Sequence, residues 1–107
     1  MGTSLKKAVV WGASGHALVV ADILICAGEF KITGFLDDIN PQRSGEAFGG
    51  ATILGGSDTL SRLAADGVSH VALGVGDCTA RLQLAQQALA AGFELATAIH
   101  PGAIIAR

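Results

Sequence analysis

Short runs of β-branched and other apolar residues alternate along this chain with stretches of helical length, and glycine marks most of the changes. Residues 6–11 form an apolar run that stops at Gly12, which predicts a first strand. Residues 15–27 have the length and composition of a helix, and Gly28 stands where a helix is expected to end. Only His16 and Asp22 are polar in that segment, so the helix is expected to be buried on more than one side. Residues 31–36 predict a second strand leading into Asp37-Asp38. Residues 39–50 contain Asn40-Pro41, Ser44-Gly45 and Gly49-Gly50 and predict a mobile loop, with a brief edge strand over 51–54. Ser57 is placed to cap a helix running to Asp66, where Gly67 closes it. Residues 70–75 predict a further strand before Gly76-Asp77-Cys78. The next helix runs to Ala91, with Leu82, Ala85 and Leu89 on one face and Gln83, Gln86 and Gln87 on another. A last strand is expected over 94–99, ahead of His100-Pro101.

Strands alternating with helices at these lengths predict an α/β fold, a small Rossmann-like three-layer domain around a parallel sheet of about four or five strands. Ligands of such sheets bind beyond the carboxyl ends of the strands. The turn Gly12 to His16, the pair Asp37-Asp38 and the turn Gly76-Asp77 all fall at those ends. Three separate segments thus converge on one edge.

Composition narrows the classes. Apolar residues make up 50% of the 107 residues and charged residues 15%, with mean hydropathy +0.52. That excludes disorder and suggests apolar surface left over to face another domain or subunit. A formal charge of -2 carries no basic footprint for nucleic acid. No apolar run reaches the roughly 18 residues a membrane span needs. Cys26 and Cys78 are too few for a disulfide framework, and the scattered histidines lack metal-ligand spacing. A reduced, cytoplasmic location is expected, with no metal, no nucleic acid and no membrane span.

The first strand-turn-helix carries the clearest chemistry. A glycine-rich turn running straight into a helix aims free backbone N–H groups and the positive end of the helix dipole at one spot, a natural phosphate site. Gly12 and Gly15 supply the turn, with Ser14 where a dinucleotide fingerprint has its second glycine and Ala17 where it has its third. Ser14 crowds a pyrophosphate but offers a hydroxyl donor. Asp37 or Asp38, about twenty residues on, is where a ribose or sugar hydroxyl would be met. Adjacent side chains on an extended segment point to opposite faces, so one of the two is expected to face the ligand. Asp77 is equally a helix cap. Arg81 is free to pair with a phosphate or with Asp77, or to be solvated on the helix. Cys78 has a ready packing explanation, and His70 and His100 read as structural.

The order GASGHA, GFLDD, ILGGSDTL, GVGDCTAR and AIHPGAIIA resembles the N-terminal domain of bacterial sugar acetyltransferases of the NeuD/PglD type, across nearly the whole chain. These are sialic-acid O-acetyltransferases and nucleotide-sugar N-acetyltransferases. The resemblance implies a Rossmann-like domain that holds a UDP-type sugar nucleotide, here over residues 1–99. In the family a left-handed β-helix of hexapeptide repeats follows, forms the homotrimer, binds acetyl-CoA and supplies the catalytic histidine. Residues 100–107 look like the start of the junction to that β-helix, and no repeat array follows Arg107 in this sequence. The expectation is therefore a substrate-binding half with no catalytic residue and no cofactor of its own, acetyl-CoA being the co-substrate of the complete enzyme. The isolated domain is expected to be a monomer or weak dimer. By the resemblance Gly12, Ser14, Gly15 and His16 contact the nucleotide-sugar, Asp37 or Asp38 accepts from its hydroxyls or base, and Gly76, Asp77 and Arg81 match the turn on the opposite side. Cys78 departs from the small polar residue that the family often has there.

A second reading is an NAD-binding or nucleotide-sensing Rossmann module with no transferase activity, which Gly12, Gly15 and the downstream aspartate also suit. Against it, a sheet this small lacks the second mononucleotide half that a dinucleotide spans. A third is a purely structural domain whose glycines only make turns.

Overall fold

A computed structural model describes residues 5–96. Along the chain run strand β1 (Lys6–Trp11), helix α1 (Gly15–Ala27), β2 (Phe30–Leu36), β3 (Ala47–Phe48), β4 (Ala51–Gly55), α2 (Leu60–Ala65), β5 (His70–Leu73), α3 (Cys78–Ala90) and β6 (Glu94–Leu95). Short 3-10 turns cover Pro41–Arg43 and Ser57–Thr59. The six strands form one sheet in the order β3-β4-β2-β1-β5-β6. All neighbours are parallel except β3 and β4. The chain builds outward from β1 through β2 to β4, then returns to the other side of β1 for β5 and β6. The direction therefore reverses between β1 and β5, where open α/β sheets bind ligands.

Strand alternation sorts the core into two layers. Val9, Trp11, Leu36 and Val71 face one way and pack with Leu60, Leu63, Ala88 and Phe93 of the α2–α3 layer. Val10, Phe35, Ile53 and Ala72 face the other way, against Ala17, Val20, Ala21 and Leu24 of α1. Each layer removes the apolar face of the sheet from water, the main stabilising term for a domain this small. Gly28 ends α1 in the left-handed conformation at φ 78°, its N–H donating to the Ile25 carbonyl.

Several expectations need correction. The segment over 39–50 holds more order than a loop: Gly49 (φ 55°) and Gly50 (φ 80°) make a two-residue hairpin turn joining β3 to β4, with Phe48 opposite Ala51. Two adjacent positive-φ positions suit the twist of a tight hairpin, and glycine takes them without a Cβ clash. The hairpin makes six strands and leaves β4 inside the sheet, not at its edge. Ser57 does not cap a helix with its side chain; its backbone N–H donates to Asp38 Oδ1 at 2.7 Å, and α2 begins later, at Leu60. Helix α1 buries one face only, leaving Val19 56% and Ile25 53% exposed on the other. Helix α3 turns Leu82 and Leu89 outward and packs through Leu84 and Ala88. The spacing of four brings Ala80, Leu84 and Ala88 onto one stripe, and the small alanines let the helix approach the sheet closely. Strand β5 stops at Leu73. Residues 97–99 of the last predicted strand, His100 and the junction over 100–107 lie outside the described residues.

Candidate functional site

Beyond the carboxyl ends of β1, β2 and β5 lies an open cleft of about 310 Å³. Trp11 to Ser14 form its floor, Leu36 to Asn40 one side, and Val75, Ala80 and Leu84 the other, with Arg43 at its rim. It is the size of a small-molecule site, apolar in its walls with a few fixed polar groups.

The floor begins at Gly12, whose φ of 138° only glycine holds without strain. A Cβ there would stand 2.7 Å from the Gly74 carbonyl oxygen, so the turn passes against the end of β5. Gly12 thus has a structural duty whatever binds above it. Ser14 occupies the N-cap position of α1 but makes no capping hydrogen bond, leaving its hydroxyl available at the cleft. A Cβ on Gly15 would meet nothing within 4 Å. The first turn of the helix is therefore open to a ligand, as a phosphate site requires.

The two aspartates divide their work. Asp37 is buried, and its carboxylate accepts from the Ile39 and Asn40 backbone N–H groups (2.9 and 3.1 Å), from Asn40 Nδ2 (3.4 Å) and from Arg43 Nη1 (3.4 Å). Those donors fill the roughly four acceptor sites of a carboxylate. Asp38 accepts from Trp11 Nε1 at 2.9 Å and the Ser57 N–H at 2.7 Å, which leaves capacity on both oxygens. Asp37 shapes the turn, and Asp38 is the carboxylate with acceptors to spare.

Arg43 ties the rim together, though nothing in its spacing singles it out. It donates from Nη1 to the Ala13 carbonyl at 2.9 Å and to Asp37, and from Nη2 and Nε to Glu46 at 3.1 and 3.3 Å. Its guanidinium lies 5.3 Å over the Phe48 ring, and Phe48 meets Phe35 edge-on at 4.9 Å. The hydrogen bond to Glu46 raises its pKa; burial opposes this, and the charges of Glu46 and Asp37 add to the rise. It stays charged at any pH where the protein is folded.

The remaining predicted residues fall elsewhere. Asp77 is the N-cap of α3, its carboxylate accepting from the Ala80 N–H at 2.9 Å, and neither it nor Gly76 lines the cleft. The wall on that side comes from Val75, Ala80 and Leu84 instead. His16 and Arg81 line a second groove of about 310 Å³ between α1 and the β5–β6 edge, with Val19, Ile23, Leu73 and Leu95. Gly15 separates the two hollows along the chain, Ser14 facing one and His16 the other. The structure adds Trp11, Ile39, Asn40 and Arg43 to the site; for Trp11 its place at the end of β1 is the available signal, and for Ile39 and Asn40 their place directly after Asp38. Among the described residues no cluster of three or more histidine, cysteine or acidic side chains is arranged to hold a metal ion. No helix there is long and apolar enough to cross a membrane.

The PglD N-terminal domain family matches residues 7–88. Among solved structures the chain is similar to PerB from Caulobacter crescentus, determined in complex with CoA and GDP-perosamine. Identity is 30% over 99% of this chain and 48% of that one, with a TM-score of 0.82. The acetyltransferase domain of PglB from Neisseria gonorrhoeae, in complex with acetyl coenzyme A, is 32% identical over 92% of this chain and 45% of its own, with a TM-score of 0.75. UDP-D-quinovosamine 4-dehydrogenase from Vibrio fischeri shares the fold alone, at 24% identity over 86% of this chain and 76% of its own (TM-score 0.71). Comparison with curated proteins gives no match. The chain spans about half the length of the first two structures.

Proposed function

The chain belongs to the PglD N-terminal domain family, and from that premise we propose that it is the nucleotide-sugar-binding half of a sugar acetyltransferase. The observation that carries this reading is the pairing of an open helix start at Gly15 with a cleft whose Asp38 keeps free acceptors. A nucleoside diphosphate sugar has three parts to place. Its diphosphate lies over the turn at Ser14 and Gly15, where backbone N–H groups and the dipole of α1 favour negative charge. Its nucleoside enters the cleft, where Asp38 accepts from a base N–H or a ribose hydroxyl. Its sugar extends past Gly15 toward His16 and Arg81 in the second groove.

In the complete enzyme an amine or hydroxyl of that sugar attacks the thioester carbonyl of acetyl-CoA. The acceptor gives its proton to a base, and the CoA thiol leaves. In this reading thioester and base are both supplied from outside the domain, so residues 5–96 hold and orient the acceptor only. The domain by itself is expected to bind the nucleotide-sugar without turning it over. A trimeric assembly belongs to the same proposal.

Calorimetric titration tests this with UDP- and GDP-linked sugars, acetyl-CoA and NADH as separate ligands. Binding of a nucleotide-sugar without acetyl-CoA supports it. Binding of NADH alone favours the nucleotide-sensing module instead.

A further inference from the structure

Ile39 is 87% exposed, the most exposed large apolar side chain among the described residues, and it stands at the lip of the cleft. A single exposed aliphatic residue is ordinary on a protein surface. Three observations set this one apart. Its backbone is fixed: the Ile39 N–H donates to Asp37 Oδ1 at 2.9 Å, and Asp37 is buried and held by Arg43. Its place in the sheet order is fixed too, since β2 and β5 flank β1, which sets Ile39 across the cleft from Val75 and Leu84. Finally, the next residue back is Asp38, whose carboxylate is clamped by Trp11 and Ser57 yet keeps free acceptors.

An aliphatic lip, an aliphatic wall and a carboxylate at the edge match the chemistry of a nucleobase, which has two apolar faces and a polar rim. We infer that Ile39 is a nucleobase-binding contact of this site, one jaw against the face of the base with Val75 and Leu84 as the other. The inference rests on the nucleotide-sugar reading and adds the direction in which the ligand lies. The base sits between β2 and β5, and the sugar points away toward α1. Asp37 and Arg43 hold the jaw in place without touching the base.

The test compares wild type, Ile39→Ala and Ile39→Leu by calorimetry with UDP, GDP, UDP-N-acetylglucosamine and GDP-mannose, alongside thermal melts. Because the side chain is exposed, both variants are expected to melt with the wild type. Ile39→Ala is expected to raise Kd about tenfold, the loss expected when an aliphatic contact is removed. The penalty should be equal for each nucleotide with and without its sugar, and Ile39→Leu should restore most of the affinity. Unchanged nucleotide affinity in Ile39→Ala overturns the base contact while leaving nucleotide binding intact. A penalty seen only with the sugar conjugates overturns it as well, by placing Ile39 at the sugar. A wild type that binds none of the four overturns the nucleotide-sugar reading itself, and this inference with it.

Discussion

The Trp11 indole N–H donates to Asp38 Oδ2 at 2.9 Å, joining the end of β1 to the end of β2 across the base of the cleft. The ring is buried at 2% exposure while the carboxylate looks outward, so one bond fixes a ligand-facing group from the core. Trp11→Phe keeps an aromatic ring in the core but removes the donor and leaves a void where the larger indole packed. It is expected to cost at least about 2 kcal/mol of stability by denaturant unfolding, the lost hydrogen bond to a charged partner and the void both contributing. Nucleotide affinity should fall beyond what the fold alone loses, because Asp38 is then held only by the Ser57 N–H.

Arg43 links the Ala13 carbonyl, Asp37 and Glu46, so it joins the phosphate-facing turn to the turn that bears Ile39. Lysine keeps the charge and loses the planar fork that reaches three partners at once. Arg43→Lys is therefore expected to weaken nucleotide binding nearly as much as Arg43→Met, measured by calorimetry on folded protein. Full affinity in Arg43→Lys would show that charge alone suffices.

Asp77 caps α3 and does not line the cleft. Asp77→Ala should destabilise by about 1 kcal/mol in chemical unfolding while Asp77→Asn, which also caps, changes little. Neither should alter nucleotide affinity. A selective loss of binding in either variant would return Asp77 to the ligand site.

Much of this arrangement is legible in the sequence, and the exceptions have physical causes. Strand β1 and helix α1 sit at the predicted residues because their apolar runs are long and are punctuated by glycine. The β3–β4 hairpin escapes because β3 has two residues and no periodicity of its own; the Gly49-Gly50 pair was its one signal. The buried face of α3 escapes because Leu82, Leu84 and Leu89 weigh equally in a helical pattern, and only packing against the core layer that contains Val71 and Phe93 selects Leu84. At the site, Ser14, Asp37 and Asp38 come together as their places at strand ends imply, and the structure adds which aspartate retains free acceptors. Arg43 is six residues beyond Asp37 in a polar stretch, and nothing local marks it as the residue that reaches back to Ala13. Such long-range hydrogen bonds belong to the fold and not to any window of sequence.

Gly12 and Gly15 stand three residues apart with opposite duties. Gly12→Ala puts a Cβ against the Gly74 carbonyl in a positive-φ position, and should cost at least about 2 kcal/mol in unfolding. Gly15 has ordinary backbone and open space before it, so a side chain there leaves the fold alone and occupies the path between the two hollows.

Titration of Gly15→Val against the wild type with a UDP- or GDP-linked sugar, followed by the fluorescence of Trp11, the chain's single tryptophan, tests the nucleotide-sugar site most directly. Expected are saturable binding by the wild type and at least about tenfold weaker binding by the variant, with matching thermal melts. Equal affinity in a folded Gly15→Val protein would contradict the site and leave the glycines of this turn with a structural role alone.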